Sequence, residues 1–283
     1  MLDANRHKYG KIKEANSITK VLLRHLSMNA IITSRHNTLS QLARSLHHTK
    51  YRRKHGLFFI EGENSIYSAV QARWELTALF CAPTEVDAAR ALLIEGGYPL
   101  SLLHQMESAV LQSISETQTS PRFAAIGRIK STFDASIWQQ AKVLLVLDGV
   151  SDPGNVGTLL RAAAASGAGG VILTGNSADP YSPKVIRSSA GSIFHCPVAI
   201  LDQEELLTRG ANEDFVIVAA DAHGGLNYRN FSWPKKYFLV LGNEKHGISP
   251  EILTTADHRV TIPITGRAES LNVAMAGTVL LFA

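Results

Sequence analysis

Through the second half of the chain, strand-length apolar runs alternate with stretches of helical periodicity, and this alternation restricts the possible folds more than any other feature. The runs in AKVLLVLDGV, GGVILTG, FVIVAAD and YFLVLG are apolar almost throughout. A strand with one wet face alternates apolar and polar residues, so unbroken runs rich in Val, Ile and Leu mark strands covered on both faces, as in a parallel sheet flanked by helices. In open α/β sheets the ligand sits at the carboxyl ends of the strands, where the connecting loops gather. Three segments place small or polar residues at such ends: LDGVSDPGNVGTLLRAAAASG from Leu147, LVLGNEKHGIS from Leu239 and VTIPITGRAESLNVAMAG from Val260. Asn155, Arg161, Glu244, Ser270 and Asn272 can therefore converge on one pocket.

A chain of 283 residues has room for two domains, each with its own core. Residues 1–30 read as a basic extension, disordered or an artefact of a start upstream of Met28. Residues 31–130 read as a first domain, 131–141 as a linker and 142–283 as a second domain. In the first, a helix over Thr38–Leu46, a basic turn KYRRKHG from Lys50 and a strand LFFIEG from Leu57 open a β/α alternation that predicts a small three-layer α/β domain. In the second, Pro153 and Gly154 mark a turn, Asn155 is placed to cap a helix over Val156–Ser166, VTIPI is a last strand and NVAMAGTVLLFA an apolar terminal helix.

The net charge of +4 conceals an asymmetry. Residues 1–56 hold twelve Lys and Arg against Asp3 and Glu14, a surplus of ten, so residues 57–283 carry a net −6. A basic arm on a mildly acidic body suits a protein that seeks a polyanion; for residues 1–28 alone, a solvated tail fits nearly as well. No run reaches the 18 apolar residues that a membrane span needs. Cys81 and Cys196 are too few for a disulfide framework or a multi-cysteine zinc site, and His195, His223 and His246 lack metal-ligand spacing. A reducing compartment, read as the cytoplasm, fits best. The basic, acid-poor start leaves an organellar transit peptide as the less favoured alternative.

The turn GVSDPGNVGT from Gly149 invites a nucleotide reading, but Asn155 stands where a P-loop needs Lys. A Rossmann fingerprint needs an acid at the end of the second strand, where this chain has Thr174, Gly175 and Asn176. Arg161 lies four residues after Gly157, on the same helical face, in an otherwise apolar or small stretch. It can be a snorkelling structural residue or, this close to a strand end, a group at the pocket rim. Glu244 can complement a helix dipole, and Ser270 or Asn272 can each be an N-cap. Those readings hold for each residue singly and poorly for three loops together.

Taken together, Asn155 to Arg161 with DPYSPK and SAGSIFHCPV, Leu241-Gly-Asn-Glu244, Ile262-Pro263 and Ser270-Leu-Asn-Val273 resemble the three signature motifs of the SpoU/TrmH-type RNA 2′-O-ribose methyltransferases of the SPOUT superfamily. Residues 31–130, with ITSRHNTL, KYRRKHGLFFIEGE and SISETQTSP, are similar to the substrate-binding domain that precedes the catalytic domain in many members. The resemblance implies an α/β SPOUT domain with a parallel sheet and a deep trefoil knot, which the general rule against threaded chains would exclude. It implies a smaller ribosomal-protein-like, L30e-like α/β domain before it. S-adenosyl-L-methionine is the implied cofactor, held mainly by backbone groups at Thr174, Gly175, Leu241, Gly242, Ile262 and Leu271. Arg161, Asn155, Glu244, Ser270 and Asn272 are the implied catalytic set, and Arg35, Lys50, Arg52, Arg53 and Lys54 are read as RNA contacts.

The implied substrate is structured RNA, ribosomal RNA of the 23S type by analogy of domain arrangement, with transfer RNA or a non-catalytic RNA-binding role as alternatives. A homodimer through the knotted domain is implied, with no metal and no membrane. Two departures stand out: the chain ends at Ala283, directly after VLLF, and Ser120-Pro121-Arg122 replaces a Pro-Gln-Gly turn.

Overall fold

The computed structural model describes residues 30–130, 132–267 and 270–283, so all but the last residue of the expected basic extension lies outside the described residues. The described residues form two compact units, 30–130 with 181–194, and 132–180 with 195–267 and 270–283.

The first unit is built on β1 (Leu57–Glu61), β2 (Leu76–Cys81), β3 (Leu103–Gln105) and β4 (Phe123–Arg128), in the order β1-β4-β2-β3. β4 runs antiparallel to both β1 and β2, while β3 is parallel to β2. Phe59, Phe80 and Ile126 meet Leu39, Ala43 and Leu46 of the first helical segment in one core. At the end of β1 the carboxylate of Glu61 is fully buried. It forms an ion pair with Arg187 of the Pro183–Ser188 helix and accepts from Ser115 Oγ at 2.5 Å and the Glu116 amide at 3.3 Å. Without those partners, a carboxylate withdrawn from water would cost several kcal/mol.

The second unit carries a wholly parallel seven-stranded sheet. Its strands are β5 (Val143–Asp148), β6 (Gly170–Thr174), β7 (Val198–Ile200), β8 (Val216–Ala220), β9 (Leu226–Asn227), β10 (Tyr237–Gly242) and β11 (His258–Thr261), in the order β7-β6-β5-β10-β8-β11-β9. The unbroken apolar runs occupy its middle, as double-sided burial requires. Asp148 pairs with Thr174 on one side and Gly242 on the other, so these three strands end at one level and their loops emerge side by side.

Local chemistry shifts several expected boundaries. The helix that follows β5 runs from Pro153 to Ser166, and its N-cap is Asp152, whose carboxylate accepts from the Asn155 amide at 3.0 Å. The cap expected at Asn155 is displaced because proline, lacking an N–H and fixed near helical φ, suits the first helical position and holds the residue before it extended. Asn155 is thereby inside the helix, with its side chain released from capping. The strand expected over VTIPI stops at Thr261, ahead of Pro263, which cannot donate to a ladder. Within 131–141, Asp134 caps a helix over Ala135–Gln140, and Trp138 packs edge-on against Phe133, Phe215 and Phe238.

The terminal helix, Val273–Leu281, buries Ala274, Gly277 and Leu280. A Cβ at position 277 would lie 2.4 Å from Leu159 of the Pro153–Ser166 helix and from Leu241 of β10, so glycine permits this close approach. No helix among the described residues is long and apolar enough to cross a membrane.

Candidate functional site

Docking of the terminal helix brings its cap to the first loop. Asn272 is that cap: its Oδ1 accepts from the amides of Ala274 at 2.8 Å and Met275 at 3.4 Å. Its Nδ2 donates to Asn155 Oδ1 at 3.0 Å, and Asn155 Nδ2 donates to Glu244 Oε1 at 2.8 Å. One residue from each of the three segments is thus joined in a single directed chain. Glu244 also accepts from the Ser151 amide and hydroxyl, both at 3.3 Å, and from the Asp152 amide at 3.4 Å. Partial burial pushes its carboxyl up, but the Asn155 side chain and the surrounding amides outweigh this and hold it below the ordinary glutamate value.

A cavity of about 640 Å³ opens beside the chain, lined by Leu241, Gly242, Glu244, Ile262, Ser270 and Leu271 among others. Its size is that of a small-molecule site, and buried Leu241, Ile248, Val260 and Leu280 give it an apolar floor. Gly242 is required by packing: a Cβ there would lie 2.2 Å from backbone atoms of Gly247 and Ile248. Among the described residues, the backbone groups of Ile262 and Leu271 make no hydrogen bond within the protein, which leaves them available to a ligand. An amphipathic small molecule fits this combination of apolar floor and free backbone polar groups.

Four of the six expected cofactor residues, Leu241, Gly242, Ile262 and Leu271, lie on the cavity wall. Thr174 and Gly175 do not; they end and follow β6, separated by β5 from the strands that border the cavity. The Thr174 hydroxyl is buried without a hydrogen-bond partner among the described residues. Of the expected catalytic set, Glu244, Ser270 and Asn272 line the cavity, and Asn155 joins them through its hydrogen bonds. Arg161 is not on the wall; it projects from an exposed helical position and makes no hydrogen bond or ion pair among the described residues.

Several residues that build the site escaped the sequence reading. Asn243 Nδ2 donates to the Gly149 carbonyl at 2.7 Å, and its Oδ1 accepts from the amides of Lys245 and His246, so one side chain shapes the whole second loop. Asp148, 3% exposed, accepts from the Ser249 amide at 2.7 Å and Gln203 Nε2 at 3.2 Å, anchoring the far end of that loop. A lone acid ending an otherwise apolar strand was the signal for Asp148.

In the first unit the basic cluster separates into two kinds of residue. Arg35, Lys50, Arg53 and Lys54 are exposed. Arg52, expected among the RNA contacts, is instead 1% exposed. Its guanidinium donates to the carbonyls of Leu46 and His47 at 2.8 Å each and to Thr49 Oγ1 at 2.9 Å, closing the end of the preceding helix. Arginine's five donors suit it to this structural work, and no periodicity in the run distinguishes it from its neighbours.

Comparison with known proteins fits this geometry. Residues 142–282 match the SpoU rRNA Methylase family, and residues 37–125 match an MRM3-like substrate binding domain. A Streptomyces viridochromogenes 23S rRNA (uridine(2479)-2′-O)-methyltransferase is 31% identical over 261 residues, covering 89% of this chain and 90% of its own length. The Bacillus subtilis 23S rRNA (guanosine(2553)-2′-O)-methyltransferase RlmP is 29% identical, covering 84% of this chain and 92% of its own. An AdoMet-bound rRNA methyltransferase from Sinorhizobium meliloti superposes with a TM-score of 0.79 at 29% identity, covering 89% of this chain and 96% of the other. With the match extending over both units and the three segments joined through the Asn272–Asn155–Glu244 hydrogen bonds, the chain belongs to the SpoU rRNA methylase family.

Proposed function

We propose that the protein transfers a methyl group from S-adenosyl-L-methionine to a ribose 2′-hydroxyl of ribosomal RNA. The observation that carries this reading is the Asn272–Asn155–Glu244 chain, two of whose members line a cavity fit for the cofactor. Backbone groups at Leu241, Gly242, Ile262 and Leu271 would hold the cofactor, and when bound it supplies a sulfonium-activated methyl group. Thr174 and Gly175 would act from outside the cavity wall, by supporting the neighbouring Gly149 turn, whose amide donates to the Thr174 carbonyl at 3.1 Å.

A ribose hydroxyl is a weak nucleophile, so the protein's task is to align it and to stabilise charge as the proton leaves. Arg161, a permanent cation with no partner among the described residues, is suited to hold an adjacent phosphate and the developing alkoxide. The asparagine–glutamate chain keeps the three loops in register. The named relatives, which act on 23S rRNA, favour a large-subunit substrate.

The knotted connection and the homodimer belong to the same reading. The terminal helix packs on the Pro153–Ser166 helix, as a returning C-terminal segment must, and exposes Met275, Val279 and Phe282 along one face. That stripe is suited to pack against a second copy. The mixed four-stranded sheet with flanking helices supports a ribosomal-protein-like first domain. Incubation with labelled S-adenosylmethionine and ribosomal or transfer RNA tests the reading. Label is expected in ribosomal RNA with the wild type and not with Arg161→Ala; label in transfer RNA alone, or in neither RNA, refutes it.

A further inference from the structure

The Thr49–His55 helix presents aromatic rings beside its charges. Tyr51 is 38% exposed, and its hydroxyl makes no hydrogen bond among the described residues. The His55 ring lies one turn on, nearly parallel to it at 11° with centroids 6.3 Å apart, and the His48 ring lies 6.4 Å away, tilted by 60°. Burial, and then the charge of Lys54, push the His55 imidazole below its ordinary value, so it is a neutral ring at neutral pH. Lys50, Arg53 and Lys54 are exposed and have no acidic partner among the described residues.

This arrangement has a cause. The buried guanidinium of Arg52 is bonded to Leu46, His47 and Thr49, which fixes the rotation of the helix about its axis. With Arg52 turned inward, the 3.6-residue period places Tyr51 and Lys54 outward and adjacent, with Lys50 one turn before Lys54. A flat ring with a flanking cation is the pair of features that a nucleotide offers its complement to: a π-face and a phosphate.

We propose that Tyr51, with His55 beside it, is a stacking platform for an unpaired RNA base whose phosphate is met by Lys50 and Lys54. The base must be unpaired, because a base inside a duplex has both faces covered by its neighbours. The platform would give the first unit a preference for loops, bulges or strand ends within structured RNA. This inference rests on RNA being the substrate, and adds the single-stranded element that the first unit selects.

Fluorescence anisotropy on the full chain, with a labelled uridine oligonucleotide and an RNA duplex of equal length at one salt concentration, provides the test. Tyr51→Ala is expected to weaken single-strand binding about tenfold and leave duplex binding within about twofold, because stacking contributes only to the former. Tyr51→Phe should retain wild-type affinity for both, whereas Lys54→Ala should weaken both, the phosphate contact being indifferent to pairing. Tyr51 faces solvent and alanine favours helix, so the variant keeps its fold, which circular dichroism verifies. The proposal is overturned by unchanged single-strand binding in Tyr51→Ala, by equal loss on the duplex, or by a wild type without preference for the single strand. Methyl transfer to ribosomal RNA by the wild type, measured in parallel, separates failure of the platform from failure of the methyltransferase reading.

Discussion

Replacing Glu244 by glutamine preserves shape while removing charge, and the structure allows its effect to be worked out atom by atom. Oε2 accepts from the Ser151 amide and hydroxyl, and Oε1 from Asn155 Nδ2 and the Asp152 amide. A glutamine keeps one acceptor oxygen; its NH₂ must confront either the Ser151 amide or the Asn155 amide group, donor against donor. Turning the NH₂ towards Ser151 is the milder choice, since the serine hydroxyl can accept while its backbone amide turns to water. The site is exposed, so this costs only about 0.5–1 kcal/mol of stability.

If Glu244 acts by orienting Asn155, the loss of charge assistance in the 2.8 Å bond should raise the barrier by about 1–2 kcal/mol, a fall in kcat of about 5- to 30-fold. Initial rates of methyl transfer at saturating S-adenosylmethionine and RNA measure this. A double-mutant cycle isolates the cause: Glu244→Gln together with Asn155→Ala should lose little more than the worse single variant. Losses that multiply, or a Glu244→Gln enzyme with full activity, would refute the reasoning. The carboxyl carries an independent signature. Its pKa is lowered from 4.5, so the ionised, hydrogen-bonded form persists as pH falls through that value and is lost only below it. A carbon-13 titration of Glu244 should give a midpoint under 4.5 in the wild type that rises in Asn155→Ala.

Further expectations follow from individual contacts. Arg161→Ala should lower the methylation rate about a hundredfold, on the scale of losing one oxyanion donor, while calorimetry finds cofactor affinity and melting temperature nearly unchanged. Arg52→Ala should destabilise by about 2–4 kcal/mol in denaturant unfolding, because two carbonyls lose their buried donor, while Arg53→Ala stays within about 0.5 kcal/mol and weakens RNA binding instead. Gly242→Ala, driving a Cβ into Gly247 and Ile248, should abolish cofactor binding in a calorimetric titration. On the proposed homodimer, Phe282→Asp, charging the exposed stripe of the terminal helix, should shift sedimentation from dimer to monomer, with little change in the monomer's thermal stability.

The parallel sheet was legible because double-sided burial writes unbroken apolar runs, and the three polar segments were legible because they follow those runs. What bonds to what was not. Asn155 could be placed at a helix start, but its release from capping depends on Pro153 and Asp152 together, and only the docked terminal helix brings Asn272 within 3.0 Å. Likewise a basic run reads as a surface, because charge is visible in sequence while the direction of a side chain is not. Arg52 differs from Arg53 only in its phase on a seven-residue helix, too short a stretch for periodicity to decide. Nothing in the composition of residues 181–194 marks their place in the first unit, since a segment that packs well is equally apolar in either core.

That placement bears on how the protein could have been assembled from parts. Residues 57–128 hold all four strands of the first unit's sheet, yet the cation that neutralises Glu61 is supplied from position 187. A gene fragment ending at Lys130 would encode the sheet and leave a carboxylate buried with only the Ser115 hydroxyl and one amide. Exchange of the first unit between relatives at that junction would thus pair each Glu61 with a foreign Arg187 or with none. The unit that is inherited together is two stretches of sequence, and selection on the second acts through a carboxylate 126 positions away.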